Sequence, residues 1–222
     1  MQINTYIDHT LLKAEATVSD IEKLCAEALK YQFKTVCINS FYIPYAAKFL
    51  KDSKVGICTV VGFPLGAIST EAKASETQKA IDDGATEIDM VLNIGALKSG
   101  LFDYVQNDIQ TLARLCHDNK RILKVILETC LLSDSEIQKA CELSELAGAD
   151  FVKTSTGFSK EGATPHAVTL MKKSVSDKMQ IKASGGVRDL TAAKMYIELG
   201  ATRLGTSSGV AIMENQKGLA GY

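Results

Sequence analysis

Short apolar runs alternate along this chain with longer stretches in which apolar residues recur at helical spacing. Strand-like runs occupy residues 35–38 (TVCI), 55–61 (VGICTVV), 87–93 (EIDMVLN), 122–128 (ILKVILE), 151–154 (FVKT), 181–184 (IKAS) and 203–206 (RLGT), with a weaker eighth at 6–8. Helical periodicity covers 18–31, 42–51, 69–83, 104–119, 134–146, 165–175, 190–199 and 208–214. The helix starts carry their own signals: Ser133 stands three residues before Glu136, a capping-box spacing, and Thr164 precedes Pro165. Gly84, Gly148 and Gly200 each stop a helix just before a strand, in the related segments DDGATEIDM, LAGADFVKT and ELGATRLGT.

A β/α unit repeated about eight times fills the chain, and strands apolar along most of their length imply a parallel sheet covered by helices. The expected fold is α/β, a closed (β/α)8 TIM barrel rather than an open doubly wound sheet. One barrel domain over 1–222 is expected, with a flexible carboxyl-terminal tail at 216–222.

Composition narrows the function. A formal net charge of -1, with both signs dispersed, supplies no basic surface for nucleic acid. The six cysteines are widely spaced without a C-x-x-C pair, and read as free, mostly buried thiols of a reducing compartment. The opening MQINTYIDHT lacks a signal-peptide pattern, and no apolar run is long enough to span a bilayer. A cytoplasmic protein is expected.

Charged residues inside strands carry the candidate chemistry. Lys153 lies in FVKT, Lys182 in IKAS and Asp89 in EIDMV. They form either a structural ion network or an activated amine. Buried ion networks are a weak source of stability. A lysine near a second ammonium can drop from its usual ~10.4 toward ~7 to 8, which suits imine chemistry. Asp8, Thr10, Asn93, Lys124 and Glu128 are further polar groups at strand ends, Lys124 and Glu128 sharing a face if their strand is regular. Cys37 and Cys130 read as packing residues, and His9, His117 and His166 are too dispersed for a metal site.

Three glycine and hydroxyl clusters follow the last three strands: STG at 155–157, SGG at 184–186 and GTSSG at 205–209. Their backbone N–H groups suit a phosphate near the last βα loops of a barrel. Neither a dinucleotide fingerprint nor a P-loop occurs.

With IDHTLL from Ile7, VGFPLG from Val61, EIDMVLNIGALKSG from Glu87, LKVILET from Leu123, DFVKTSTGF from Asp150 and IKASGGVR from Ile181, the chain resembles the deoxyribose-phosphate aldolase family from Ile7 to its last residue. These are class I aldolases, which need no metal or cofactor. The resemblance implies reversible cleavage of 2-deoxy-D-ribose 5-phosphate to acetaldehyde and D-glyceraldehyde 3-phosphate, and a homodimer. It assigns the imine to Lys153, proton transfer to Lys182 and Asp89, and a supporting polar network to Asp8 and Lys124. The phosphate is expected on Gly157, Gly186, Gly205, Ser207 and Ser208 with Arg188 nearby, and the terminal Tyr222 is expected to visit the site. The chain departs from some relatives in carrying Phe158, where they carry a lysine, so phosphate binding should lean on Arg188 and backbone N–H groups. A Schiff-base aldolase with a longer donor and a non-catalytic sugar-phosphate module are the competing readings.

Overall fold

The computed structural model describes residues 2–218. Eight strands, β1 (Ile7–Leu11), β2 (Thr35–Ile38), β3 (Gly56–Val61), β4 (Glu87–Val91), β5 (Ile122–Ile126), β6 (Phe151–Lys153), β7 (Gln180–Ser184) and β8 (Arg203–Thr206), pair in chain order as a closed barrel. Every pairing is parallel, and β8 closes on β1 with Gly205 opposite Asp8. The helices are α1 (Val18–Tyr31), α2 (Ile43–Phe49), α3 (Thr70–Asp82), α4 (Ile94–Lys98), α5 (Phe102–Asp118), α6 (Asp134–Leu146), α7 (Pro165–Ser174), α8 (Leu190–Glu198) and α9 (Gly209–Met213). None is long and apolar enough to cross a membrane among the described residues.

Strand alternation sorts the side chains into two environments. Val36, Ile38, Ile57, Ile88, Met90, Leu123, Val125, Val152, Ile181 and Leu204 are buried in the main apolar core that the helices share. The opposite, inward face of β4 to β8 and β1 is charged: Glu87, Asp89, Lys124, Lys153, Lys182, Arg203 and Asp8 are all buried there. Toward β2 and β3 the interior turns apolar, with Leu12, Cys37, Cys58 and Val60 forming a small separate cluster against Phe63. The lower barrel is thus filled, and function belongs at the carboxyl ends of the strands.

The expected caps are present: Ser133 and Glu136 make a reciprocal capping box, and Thr164 accepts from the Ala167 N–H with Pro165 in the first turn. Several local expectations change: β1 runs from Ile7 to Leu11 rather than over 6–8, and β4 stops at Val91 rather than at 93. The α4 helix was not anticipated, because five residues show no period; Asn93 caps it by accepting from the Ala96 N–H. The fifth strand stops at Ile126, two residues early, because Glu128 turns left-handed at φ 56° and so shares no strand face with Lys124. All six cysteines are free thiols, five of them buried. Of the expected tail, Gln216 and Gly218 donate to the carbonyls of Ala211 and Arg188, at 2.7 and 2.8 Å. Tyr222 lies outside the described residues.

Candidate active site

Adjacent strands carry the two lysines directly opposite one another, Lys153 on β6 and Lys182 on β7. Both ammonium groups donate to the same oxygen of Asp89, Oδ2, at 2.8 Å each. The other oxygen, Oδ1, accepts from Lys124 at 2.7 Å and from the Cys58 thiol at 3.1 Å. Asp89 is therefore the hub, reached by three amines from three successive strands.

An outer ring braces that hub. Lys182 also binds Asp8; Asp8 accepts from Arg203 at 2.8 Å; Arg203 reaches Glu87 at 2.7 Å; and Glu87 lies 2.6 Å from Lys124. Phe151 sits beneath the ring, its centroid 5.2 Å from the Arg203 guanidinium. Three carboxylates face four cations, one formal positive charge in excess. Lys182, Lys124 and Arg203 each touch two carboxylates, whereas Lys153 touches one. Lys153 is thus the least tied cation of the network.

The charges set one another. Burial alone would raise the Asp89 carboxyl, but Lys124, Lys153 and Lys182 outweigh it and hold the group well below the usual range. Asp8 is held low against burial by Arg203 and Lys182. Burial opposes the charge on Lys182, yet Asp8 and Asp89 hold it well above its ordinary value. Lys182 is thus a firm ammonium, separated from Lys153 by a shared carboxylate. Burial, with Cys37 and Asp89, pushes the Cys58 thiol up and keeps it protonated.

Just past the lysines lies a cavity of about 250 Å³. Gly157, Gly186, Arg188, Gly205, Ser207 and Ser208 all line it. Gly157 and Gly186 adopt φ of 88° and 81°, a left-handed backbone in which a side chain would be strained. Glu128 supports the TSTG turn: its carboxylate accepts from both the N–H and the hydroxyl of Thr156. Sequence reasoning missed Lys160, which also lines the cavity and, like Arg188, makes no ion pair among the described residues. Glu161 lines the same cavity. The charge missing at position 158 stands two residues further on, and the Phe158 ring instead meets Phe63 edge-on at 5.1 Å. Arg203 was missed as well; an arginine in the apolar run RLGT was its available signal.

The other candidates fall elsewhere. Thr10 donates to the Asp8 carbonyl, Asn93 caps α4, and His9, His117 and His166 pair separately with Glu27, Asp150 and Asp134. Cys37, Cys58 and Asp89 bring possible metal-ligand atoms within 4.8 Å of one another. They do not suit a divalent cation, which would have to displace or face the three ammonium groups already on Asp89.

Residues 3–215 match the family described as DeoC/LacD family aldolase. The chain is 56% identical over 214 residues to a deoxyribose-phosphate aldolase of Finegoldia magna, covering 96% of this chain and 100% of the relative. It is 53% identical over 222 residues to the deoxyribose-phosphate aldolase of Mycoplasmopsis pulmonis, with both chains covered in full. Among solved structures, it superposes on the tetrameric deoxyribose phosphate aldolase of Aeropyrum pernix with a TM-score of 0.88 at 34% identity, covering 96% of this chain and 89% of that one. Strand lysines sharing one carboxylate at the mouth of a closed barrel, together with these matches along nearly its whole length, lead to one conclusion: the chain belongs to the DeoC/LacD family of aldolases.

Proposed function

We propose that the protein is a class I deoxyribose-phosphate aldolase, cleaving 2-deoxy-D-ribose 5-phosphate reversibly to acetaldehyde and D-glyceraldehyde 3-phosphate through an imine on Lys153. The observation that carries this reading is the sharing of Asp89 Oδ2 by Lys153 and Lys182 beside a glycine-lined cavity. An amine, a proton relay and a phosphate seat then stand in one line.

In cleavage, the unprotonated Lys153 amine adds to the C1 aldehyde, and Asp89 and Lys182 carry the protons that let the carbinolamine lose water. Loss of one amine proton also brings the four-cation, three-carboxylate network to charge balance. A base relayed through Asp89 takes the C3 hydroxyl proton. The C2–C3 bond breaks, its electron pair moves into the iminium to give an enamine, and C3 leaves as the aldehyde of glyceraldehyde 3-phosphate. Protonation at C2 and hydrolysis of the imine release acetaldehyde and restore Lys153. Lys124, Asp8, Glu87 and Arg203 keep Asp89 and Lys182 in place and charged.

The phosphate rests on Gly157, Gly186, Gly205, Ser207 and Ser208, with Arg188 and Lys160 supplying charge. Gly218 donates to the carbonyl of Arg188, a residue lining the cavity, and Tyr222, four residues further along the sequence, is proposed to assist proton transfer. Six free thiols suit the cytoplasm, the compartment we propose. The proposed assembly is a homodimer, which light scattering would test against a tetramer like that of the Aeropyrum pernix relative.

Incubation with acetaldehyde and borohydride, followed by peptide mapping, tests the mechanism. A single adduct of about 28 Da on Lys153 is expected. An adduct centred on Lys182 would reverse the two roles, and none from folded protein would end the imine reading.

A further inference from the structure

Two buried hydroxyls in this site have no use in the chemistry above. Ser155 and Ser184 are 0% and 1% exposed, and neither Oγ has a hydrogen-bond partner among the described residues. A buried hydroxyl without a partner is costly, and such a group in a native structure calls for an explanation.

Their position supplies one. Ser184 lies two residues beyond Lys182 within β7, so alternation keeps it on the inward face of its lysine, and Ser155 lies two residues beyond Lys153, just past the end of β6. The two chain ends are held level: the Thr154 hydroxyl donates to the Ser184 carbonyl and accepts from the Ser184 N–H, both at 3.0 Å. A Cβ built on Gly205 would lie 2.0 Å from Ser184 Oγ and 3.0 Å from Lys182 Cε, so that hydroxyl and the lysine stem border the same glycine. Two residues past each serine come Gly157 and Gly186, both lining the cavity. Along each of these two segments the order is therefore amine, orphan hydroxyl, cavity glycine.

We propose that Ser155 and Ser184 are specificity-determining residues that hydrogen-bond the α-hydroxyl of a phosphorylated hydroxyaldehyde, between the imine lysine and the phosphate seat. The proposal rests on the aldolase reading. Once the donor is on Lys153 and the acceptor phosphate is in the cradle, the acceptor aldehyde oxygen is consumed as the new C3 hydroxyl under Asp89. The α-hydroxyl, the future C4 hydroxyl of the sugar, is left between imine and phosphate. It can both donate and accept, and so can satisfy both serines. A site with buried hydroxyls then disfavours an acceptor lacking one, because the serines stay unpaired.

The test compares D-glyceraldehyde 3-phosphate with 3-phosphopropanal, which lacks the α-hydroxyl, as acetaldehyde acceptors for the wild type, Ser155→Ala and Ser184→Ala. The wild type should favour the hydroxylated acceptor by about tenfold or more in kcat/KM, and each variant should lose most of that preference while changing kcat/KM for 3-phosphopropanal by no more than about twofold. Borohydride trapping of acetaldehyde is read in parallel. Equal use of both acceptors by the wild type overturns the proposal, as do variants that slow both acceptors alike or lose trapping, since the hydroxyls are then structural. A wild type that traps no acetaldehyde defeats the aldolase reading itself, a distinguishable result.

Discussion

Lys153 and Lys182, level across neighbouring strands, donate to one and the same oxygen of Asp89. A single carboxylate oxygen thus joins the amine with the fewest bonds in the network to one held firmly charged between Asp8 and Asp89. The two lysines should fail differently. Lys153→Arg keeps the positive charge but cannot form an imine, so the borohydride adduct should vanish. Lys182→Met should still form some adduct while turnover falls about 10²-fold or more, since a proton-transfer group is lost. Equal trapping in wild type and Lys153→Arg would remove Lys153 from the mechanism.

Gly205 lines the cradle but also makes space for the amine layer. Gly205→Ala would press a methyl onto the Ser184 hydroxyl and the Lys182 stem, at 2.0 and 3.0 Å. Overpacking of this kind costs about 1–3 kcal/mol, and it should displace Lys182 as well. Urea denaturation and steady-state rates should both suffer in this variant. Normal activity with normal stability would mean that the strand yields freely.

Lys160 and Arg188 are the cavity cations without an ion pair among the described residues. Replacing either with alanine should raise KM for glyceraldehyde 3-phosphate about tenfold and leave unphosphorylated glyceraldehyde almost unchanged, because a charge-assisted bond to phosphate is lost. If only Arg188→Ala shows the effect, then Lys160 faces solvent when substrate binds and Phe158 is an uncompensated change.

The buried network also predicts a pH profile of stability. Asp8 and Asp89 are held below their ordinary 3.8, so just under that value the unfolded chain binds more protons than the folded one. Their contribution is complete above about pH 5 and declines as pH falls through the depressed values. Lys182, raised above its ordinary 10.5, contributes fully below that value and loses its contribution as pH rises through the raised one. Urea unfolding should give a broad plateau through neutral pH with an acid decline beginning below about pH 5, and Asp89→Asn should lower the plateau and flatten the acid arm. A wild-type decline already under way at pH 6 would contradict the ionised network.

Much of this was legible along the chain because it is local. Hydrophobic period marked the strands and most helices, capping residues marked the starts of α6 and α7, and Lys153, Lys182 and Asp89 stood out as charges in runs that had to be buried. Gly157, Gly186 and Gly205 were legible for the same reason, each lying within or a few residues past the end of one of the last three strands. Closure of the barrel decided the rest. Arg203 reaches Asp8 across 195 residues and Glu87 across 116, contacts created only when β8 pairs with β1 and the inward faces converge. The reversal at Glu128, the approach of Lys160 to the cavity and the orphan status of Ser155 and Ser184 likewise depend on neighbours distant in sequence. Local pattern therefore determined which groups would be buried along each strand. Which carboxylate each cation shares, and which hydroxyls are left without a partner, followed from the register of a closed sheet, because only the tertiary fold sets distances between strands.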